Sequence, residues 1–158
     1  MEDLAVDKEA HVRACGDVGV DHRVLGAVDV HAEPGDEFTA AGFAVHVYGS
    51  EHAVIHPDIP TVPNVGFLLD GDIFHPGDSY TVPEDPAGTL LLPGSGPWHN
   101  TAGMIDYARA VGPRRGFIIH DALLSEIGLG VLEMFAGLAA GPNDAQFTRL
   151  APGTTVEL

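Results

Sequence analysis

The chain is poor in three residue types. It has one cysteine (Cys15), one lysine (Lys8) and one tryptophan (Trp98) in 158 residues. With a single thiol, an internal disulfide is excluded and a thiolate zinc site has too few ligands. Basic residues are scarce as a group: 7 Lys and Arg face 23 Asp and Glu, for a formal net charge of −16. Such a surface repels phosphates and anionic lipid, so neither nucleic acid nor a membrane surface is expected as a partner. No apolar run is long enough to cross a bilayer, and no apolar N-terminal stretch of signal-peptide type is present. The expected compartment is the cytoplasm.

What is present reads as one domain. The length suits a single core, and 45% of the residues are apolar. Residues 1–33 are acidic and weakly patterned, with a short helix possible over 4–15. From residue 34 to 158 the punctuation is clear. Pro34-Gly35-Asp36 is a turn. Residues 43–48 alternate with strand period. Residues 53–63 carry three prolines and read as an extended loop, and residues 64–69 as a strand. Asp70-Gly71 is a strong hairpin signal, and residues 72–74 form its returning arm. The second half changes character. Residues 89–92 form a continuous apolar run, expected for a strand buried on both faces. Thr101 is the expected cap of a helix over 102–111, stopped by Gly112-Pro113. Residues 117–119 read as another buried strand. The apolar stripe from Leu123 to Leu138 has helical period and is expected to face the core. Residues 147–150 and 155–158 read as closing strands. The order is strand hairpins followed by β-α-β-α-β, which requires a layered α/β (α+β) arrangement.

Three strands end in a side chain able to bind a metal: His52 in GSEHAVIHP, Asp78 in FHPGDS and His120 in FIIHDA. Imidazole and carboxylate suit zinc, iron or manganese alike. None of the spacings is a local metal signature. Read from residues alone, Asp78 is either a ligand or a turn residue capping local amides. His52 is a ligand or a solvated strand-end histidine. His120 is a ligand or a buried histidine bonded to Asp121.

Taken in order, NVGFLLDGDIFHPGDS, TLLLPGSGPW and FIIHDA resemble the second half of the metallo-β-lactamase superfamily. More narrowly, they resemble its ascorbate-6-phosphate-lactonase-like branch of metal-dependent hydrolases. The resemblance covers roughly residues 34–158. It implies part of a four-layer αββα sandwich with a one- or two-metal site at one edge. There, a metal-bound hydroxide attacks a lactone, amide or phosphoester. By position, His52 matches a histidine of the first metal, Asp78 the carboxylate that bridges two metals and holds the hydroxide, and His120 the last histidine, on the second metal. The leading HxHxDH motif of that family is absent. The nearest string, DVGVDH over residues 17–22, belongs to the connection before PGDEF. The chain therefore corresponds to a carboxy-terminal half beginning after the motif. Hydrolase activity is expected where a partner or a further segment restores the site, because three of about seven ligands remain.

Around these positions, Glu51 and Asp121 are candidates to orient ligating histidines. His56 and His75 are candidate pocket walls. Trp98 and His99 either line a substrate pocket or, for Trp98, simply pack. Arg114-Arg115 is expected to be a solvated or salt-bridged pair. The rival to a truncated hydrolase is a non-catalytic half-domain. Such a half exposes the face that packs on the other half, so it is expected to associate with itself or with a partner chain.

Overall fold

A computed structural model of the protein describes residues 32–157. The helix expected over 4–15, the Asp21-His22 pair, and His11, His22 and His31 lie outside the described residues. Seven strands form one sheet in sequence order: β1 (Glu37–Ala40), β2 (Phe43–Tyr48), β3 (Gly66–Leu69), β4 (Ile73–His75), β5 (Thr89–Pro93), β6 (Arg115–Ile119) and β7 (Gln146–Arg149). The first four pair antiparallel and the rest parallel. Helix α1 (Thr101–Val111) connects β5 to β6, and α2 (Glu126–Gly137) connects β6 to β7. The result is an α+β fold: a mixed seven-stranded sheet with two helices.

Local chemistry sets these elements. Asp70 and Gly71 both have positive φ, 49° and 66°, as a type I′ hairpin demands. Asp70 also binds β2, its carboxylate accepting from the Ala44 amide at 2.8 Å. Helix α1 is capped by Asn100 rather than Thr101: the Asn100 side chain accepts from the Gly103 amide at 2.7 Å. Asn100 lies extended, as an N-cap must, while Thr101 is already helical. Gly112 closes the helix at φ 62°. Residues 155–157 form no strand, so the last expected strand is absent from the described residues.

One sheet face is covered. Phe74, Leu90, Leu92 and Ile118 pack against Met104, Tyr107 and Ala108 of α1 and Leu132 and Ala136 of α2. Strand β5 is buried along its whole length, as its apolar run predicts. The other face is different. The register places Phe38, Val45, Leu69, Ile73, Phe67 and Phe117 on it. No helix or strand packs there among the described residues, but the face is not bare: Val45, Val47 and Leu91 on it are buried, and Leu150, Ala151 and Thr154 of the segment after β7 lie beside Leu91 and Phe117. No ladder position on that face is an Asp or Glu, although the chain has 23 of them.

The stripe from Leu123 to Leu138 corrects an expectation. Leu129, Leu132 and Ala136 enter the core. Leu123, Ile127, Val131, Met134 and Leu138 face outward. The ten apolar residues between 123 and 138 exceed what one helix can bury against a sheet edge, because the contact is a stripe and not a cylinder.

Candidate metal centre

Strands β2, β4, β5, β6 and β7 run in one direction, so their carboxyl ends share an edge of the sheet. Ligands commonly bind at this edge in open α/β sheets. His52 follows β2, Asp78 follows β4 and His120 follows β6. The structure brings these three together. Asp78 Oδ1 lies 2.6 Å from His120 Nε2, and Asp78 Oδ2 lies 3.5 Å from His52 Nε2.

The turn that aims Asp78 is built from HPGD. Gly77 has φ 67°, and a Cβ there would lie 2.3 Å from Asn64 Oδ1. Glycine is required on both counts. Asn64 clamps the turn from outside: its amide donates to the Pro76 carbonyl at 2.9 Å, and its oxygen accepts from the Asp78 amide at 2.8 Å. Ser79 Oγ donates to the same Pro76 carbonyl. The Asp78 carbonyl accepts from the Ala53 amide at 2.8 Å, which fixes the His52 loop to the Asp78 loop. His120 sits at φ 60°, a left-handed conformation that is uncommon outside glycine. The end of β6 thus turns sharply to bring its imidazole to Asp78.

Ring contacts complete the site. Trp98 is buried and meets His52 and His120 edge-on, at centroid distances of 6.0 and 6.5 Å. Tyr80 packs on Trp98 at 5.0 Å and hydrogen bonds His99 Nδ1 at 3.0 Å. Burial pushes the Tyr80 hydroxyl up to about 12 and lowers His99. His75 Nδ1 accepts from the Gly77 amide at 2.9 Å. Burial, and secondarily the neighbouring His120, holds His75 below the ordinary histidine range. Both histidines therefore favour the neutral form.

The remaining candidates stand apart. His56 is exposed and accepts from the Asp58 amide. Glu51 is exposed and bridges Pro63 through its backbone. Asp121 accepts from Arg149 Nε, so its carboxylate is held by β7. Asn64, Ser79 and Tyr80 were not expected. Asn64 is fourteen residues from Asp78, and only the β3–β4 hairpin makes them neighbours.

A metal ion can be tested against this donor set. His52 Nδ1 lies 2.6 Å from the Ala53 carbonyl. A carbonyl only accepts, so Nδ1 carries hydrogen and Nε2 is the nitrogen turned to Asp78. When His52 is neutral, its Nε2 lone pair faces a carboxylate oxygen, and only a cation or a proton between them satisfies both. The donor chemistry fits a divalent cation. The arrangement has one imidazole on each oxygen of Asp78, like two half-sites sharing a carboxylate. Accordingly, no group of three or more His, Cys, Asp or Glu among the described residues is placed to hold one ion.

A cleft of about 600 Å³ lies elsewhere, lined by Glu37, His46, Leu68 and Asp85 among others. None of the three strand-end residues lines it. Its polar wall is already paired: Tyr48 donates to Asp85 at 2.6 Å, and His46 Nδ1 lies 2.8 Å from the Tyr48 hydroxyl. His46 is thus half-buried in a hydrogen-bonded network. The chemistry of the side chains, more than the size of the cleft, picks out Asp78. No helix among the described residues is long and apolar enough to cross a membrane.

No protein-family model matches the chain. Rv0786c of Mycobacterium tuberculosis is 38% identical over 103 residues, covering 61% of this chain and 48% of that protein. The chain thus spans about half the length of this curated relative. Two solved structures share the fold at 18% identity. One is Igni18, a metallo hydrolase from the hyperthermophilic archaeon Ignicoccus hospitalis, with TM-score 0.52 over 80% of this chain and 59% of that chain. The other is described as a metal-dependent hydrolase, from Parabacteroides distasonis, with TM-score 0.53 over 79% and 58%. The described chain therefore shares its fold with these two proteins.

Proposed function

We propose that this chain is the carboxy-terminal half of a metal-dependent hydrolase of the metallo-β-lactamase superfamily, in its ascorbate-6-phosphate-lactonase-like branch, working in the cytoplasm. The observation that carries the reading is Asp78, aimed by a glycine turn, with one strand-end imidazole on each carboxylate oxygen. The fold shared with two metallo-hydrolases supports it.

In this reading His52, Asp78 and His120 hold one or two cations, zinc or alternatively iron or manganese, and Asp78 is the shared ligand. A bound cation supplies Lewis acidity toward water and toward the oxygen of a lactone, amide or phosphoester. The chain's own residues do the rest. The Ala53 carbonyl fixes the His52 tautomer. Trp98 holds both imidazole rings from the side and keeps water from their carbon edges. Asp78 accepts hydrogen from the attacking water. Neutral His75 and His99 leave the cation's charge uncontested in the small-molecule substrate pocket. Further ligands come from outside residues 32–157.

Metal analysis of purified protein tests this. Zinc, iron or manganese is expected above background and is expected to fall to background in Asp78→Ala. No metal in the parent chain, and no change on substitution, overturns a working site in this chain.

One observation favours a second reading, a non-catalytic half-domain completed by a partner. It is the apolar sheet face without acidic residues, opposite the helices. In that case the chain binds a hydrophobic dye through this face, and Phe117→Lys removes most of the signal at unchanged helix content. Equal dye binding by parent and variant sinks this reading.

A further inference from the structure

Two histidines at the strand-end edge are fixed in opposite tautomers. His52 Nδ1 meets the Ala53 carbonyl at 2.6 Å, so it carries hydrogen and leaves a lone pair on Nε2. His75 is the reverse. The Gly77 amide lies 2.9 Å from His75 Nδ1. A backbone N–H only donates, so this Nδ1 accepts and carries no hydrogen. An imidazole keeps at least one N–H, and here it must sit on Nε2.

The placement of the second ring gives the tautomer its meaning. His75 closes β4, three residues before Asp78, and pairs with Phe67. Its neighbour Phe74 points into the helix-covered core. His75 therefore lies on the other sheet face, at the edge where the strand-end residues gather. The charged groups that act on it are His120 and Asp78. Its Nε2–H has no hydrogen-bond partner among the described residues. An N–H offers no lone pair, so it cannot bind a cation. It can bind an oxygen, and the turn already holds it in place to do so.

We propose that His75 is a hydrogen-bond donor to the substrate, giving its Nε2–H to the oxygen that a cation on Asp78 polarises. The inference rests on the reading of Asp78 as a cation ligand. His52 and His75 then divide the work. One supplies a lone pair to the cation. The other supplies an N–H to the ligand oxygen that gains negative charge as water attacks. The HPGD turn sets both sides of this chemistry: it aims the Asp78 carboxylate, and its Gly77 amide fixes the His75 tautomer. The ligand class that fits is an oxyanion.

Inorganic phosphate added to the zinc-loaded full chain is the probe. Ring-nitrogen NMR of the parent should show His75 with hydrogen on Nε2 alone. That N–H should shift, and exchange more slowly with water, when phosphate is added. Three variants separate the donor from the turn. Gln at 75 puts an amide N–H near the Nε2 position but loses the contact to Gly77. Asn puts its oxygen near the Nδ1 position, so it keeps Gly77 while its N–H falls short. Phe has neither group. Phosphate affinity should stay within ~3-fold in His75→Gln and fall ~10-fold or more in His75→Asn and His75→Phe. Zinc affinity should hold in all three. Equal phosphate affinity in every variant, or the reverse order with Asn near the parent and Gln weakened, overturns the proposal. So does hydrogen on Nδ1, or a His75 N–H that phosphate leaves unmoved. If the parent takes up no zinc, the reading of Asp78 falls and this inference falls with it. Zinc uptake with no effect of phosphate on His75 removes this inference alone.

Discussion

Asp72 and Asp78 are six residues apart at opposite ends of β4, and each is bound by two side chains. Asp72 accepts from Arg114 Nη2 at 2.6 Å and from Thr89 Oγ1 at 3.1 Å. Arg115 then donates to Thr89 Oγ1 at 2.9 Å. Asp78 faces His120 and His52 instead. A guanidinium is permanently charged and binds no metal, so the Asp72 corner is complete as it stands. Imidazole can lose its proton and offer a lone pair, so the Asp78 corner can exchange protons for cations. The two corners have similar hydrogen-bond numbers. The chemistry of the partners makes one structural and the other a candidate site. It also settles the Arg114-Arg115 pair as a structural clamp away from the strand-end histidines.

The contrast can be broken by substitution. The largest effect is expected for Gly77→Ala, which combines a left-handed φ with a clash on Asn64; about 3 kcal/mol of stability should be lost in urea unfolding. Gly88→Ala at the other corner also meets side-chain atoms, of Asp72 and Arg114. Arg114 is exposed and can swing away, so the loss there should be smaller than for Gly77. Asn64→Ala removes two hydrogen bonds and should cost about 2 kcal/mol. It should also weaken zinc binding ~10–100-fold, as losses behind a ligand do. Equal zinc affinity in Asn64→Ala would break the assignment of Asn64 as a positioning residue.

Acid comes next. His75 and His99 are held below their ordinary range in the folded chain. The unfolded chain takes up their protons first, so both contribute stability above pH ~6.5 that is lost as pH falls through their folded values. The melting temperature should drop below that pH, and less so in His75→Gln. The smallest effect belongs to Arg114→Ala. Its ion pair is largely exposed, so the loss should be under ~1 kcal/mol, should shrink with salt, and should leave zinc binding unchanged.

Much of the fold was legible because its signals are local. Asp-Gly marks the hairpin, the run TLLL marks the central strand, and Gly112-Pro113 ends α1. The misread elements depended on which residue faced what. The α1 cap moved by one residue because Asn100 and Thr101 are both competent caps, and backbone conformation chose between them. The stripe on α2 was divided because periodicity reports an apolar face without saying what covers it.

The site divides the same way. That His52, Asp78 and His120 close their strands is written in the order of residues. That the two imidazoles reach opposite oxygens of one carboxylate is not. It depends on strand direction and register, on the left-handed turns at Gly77 and His120, and on the Asn64 clamp across the hairpin. Composition alone set the acidity, the single thiol and the lack of any long apolar span. Only the tertiary structure decided which apolar residues stay in water. Burial is a property of neighbours brought together by folding, and a residue's own chemistry cannot name them.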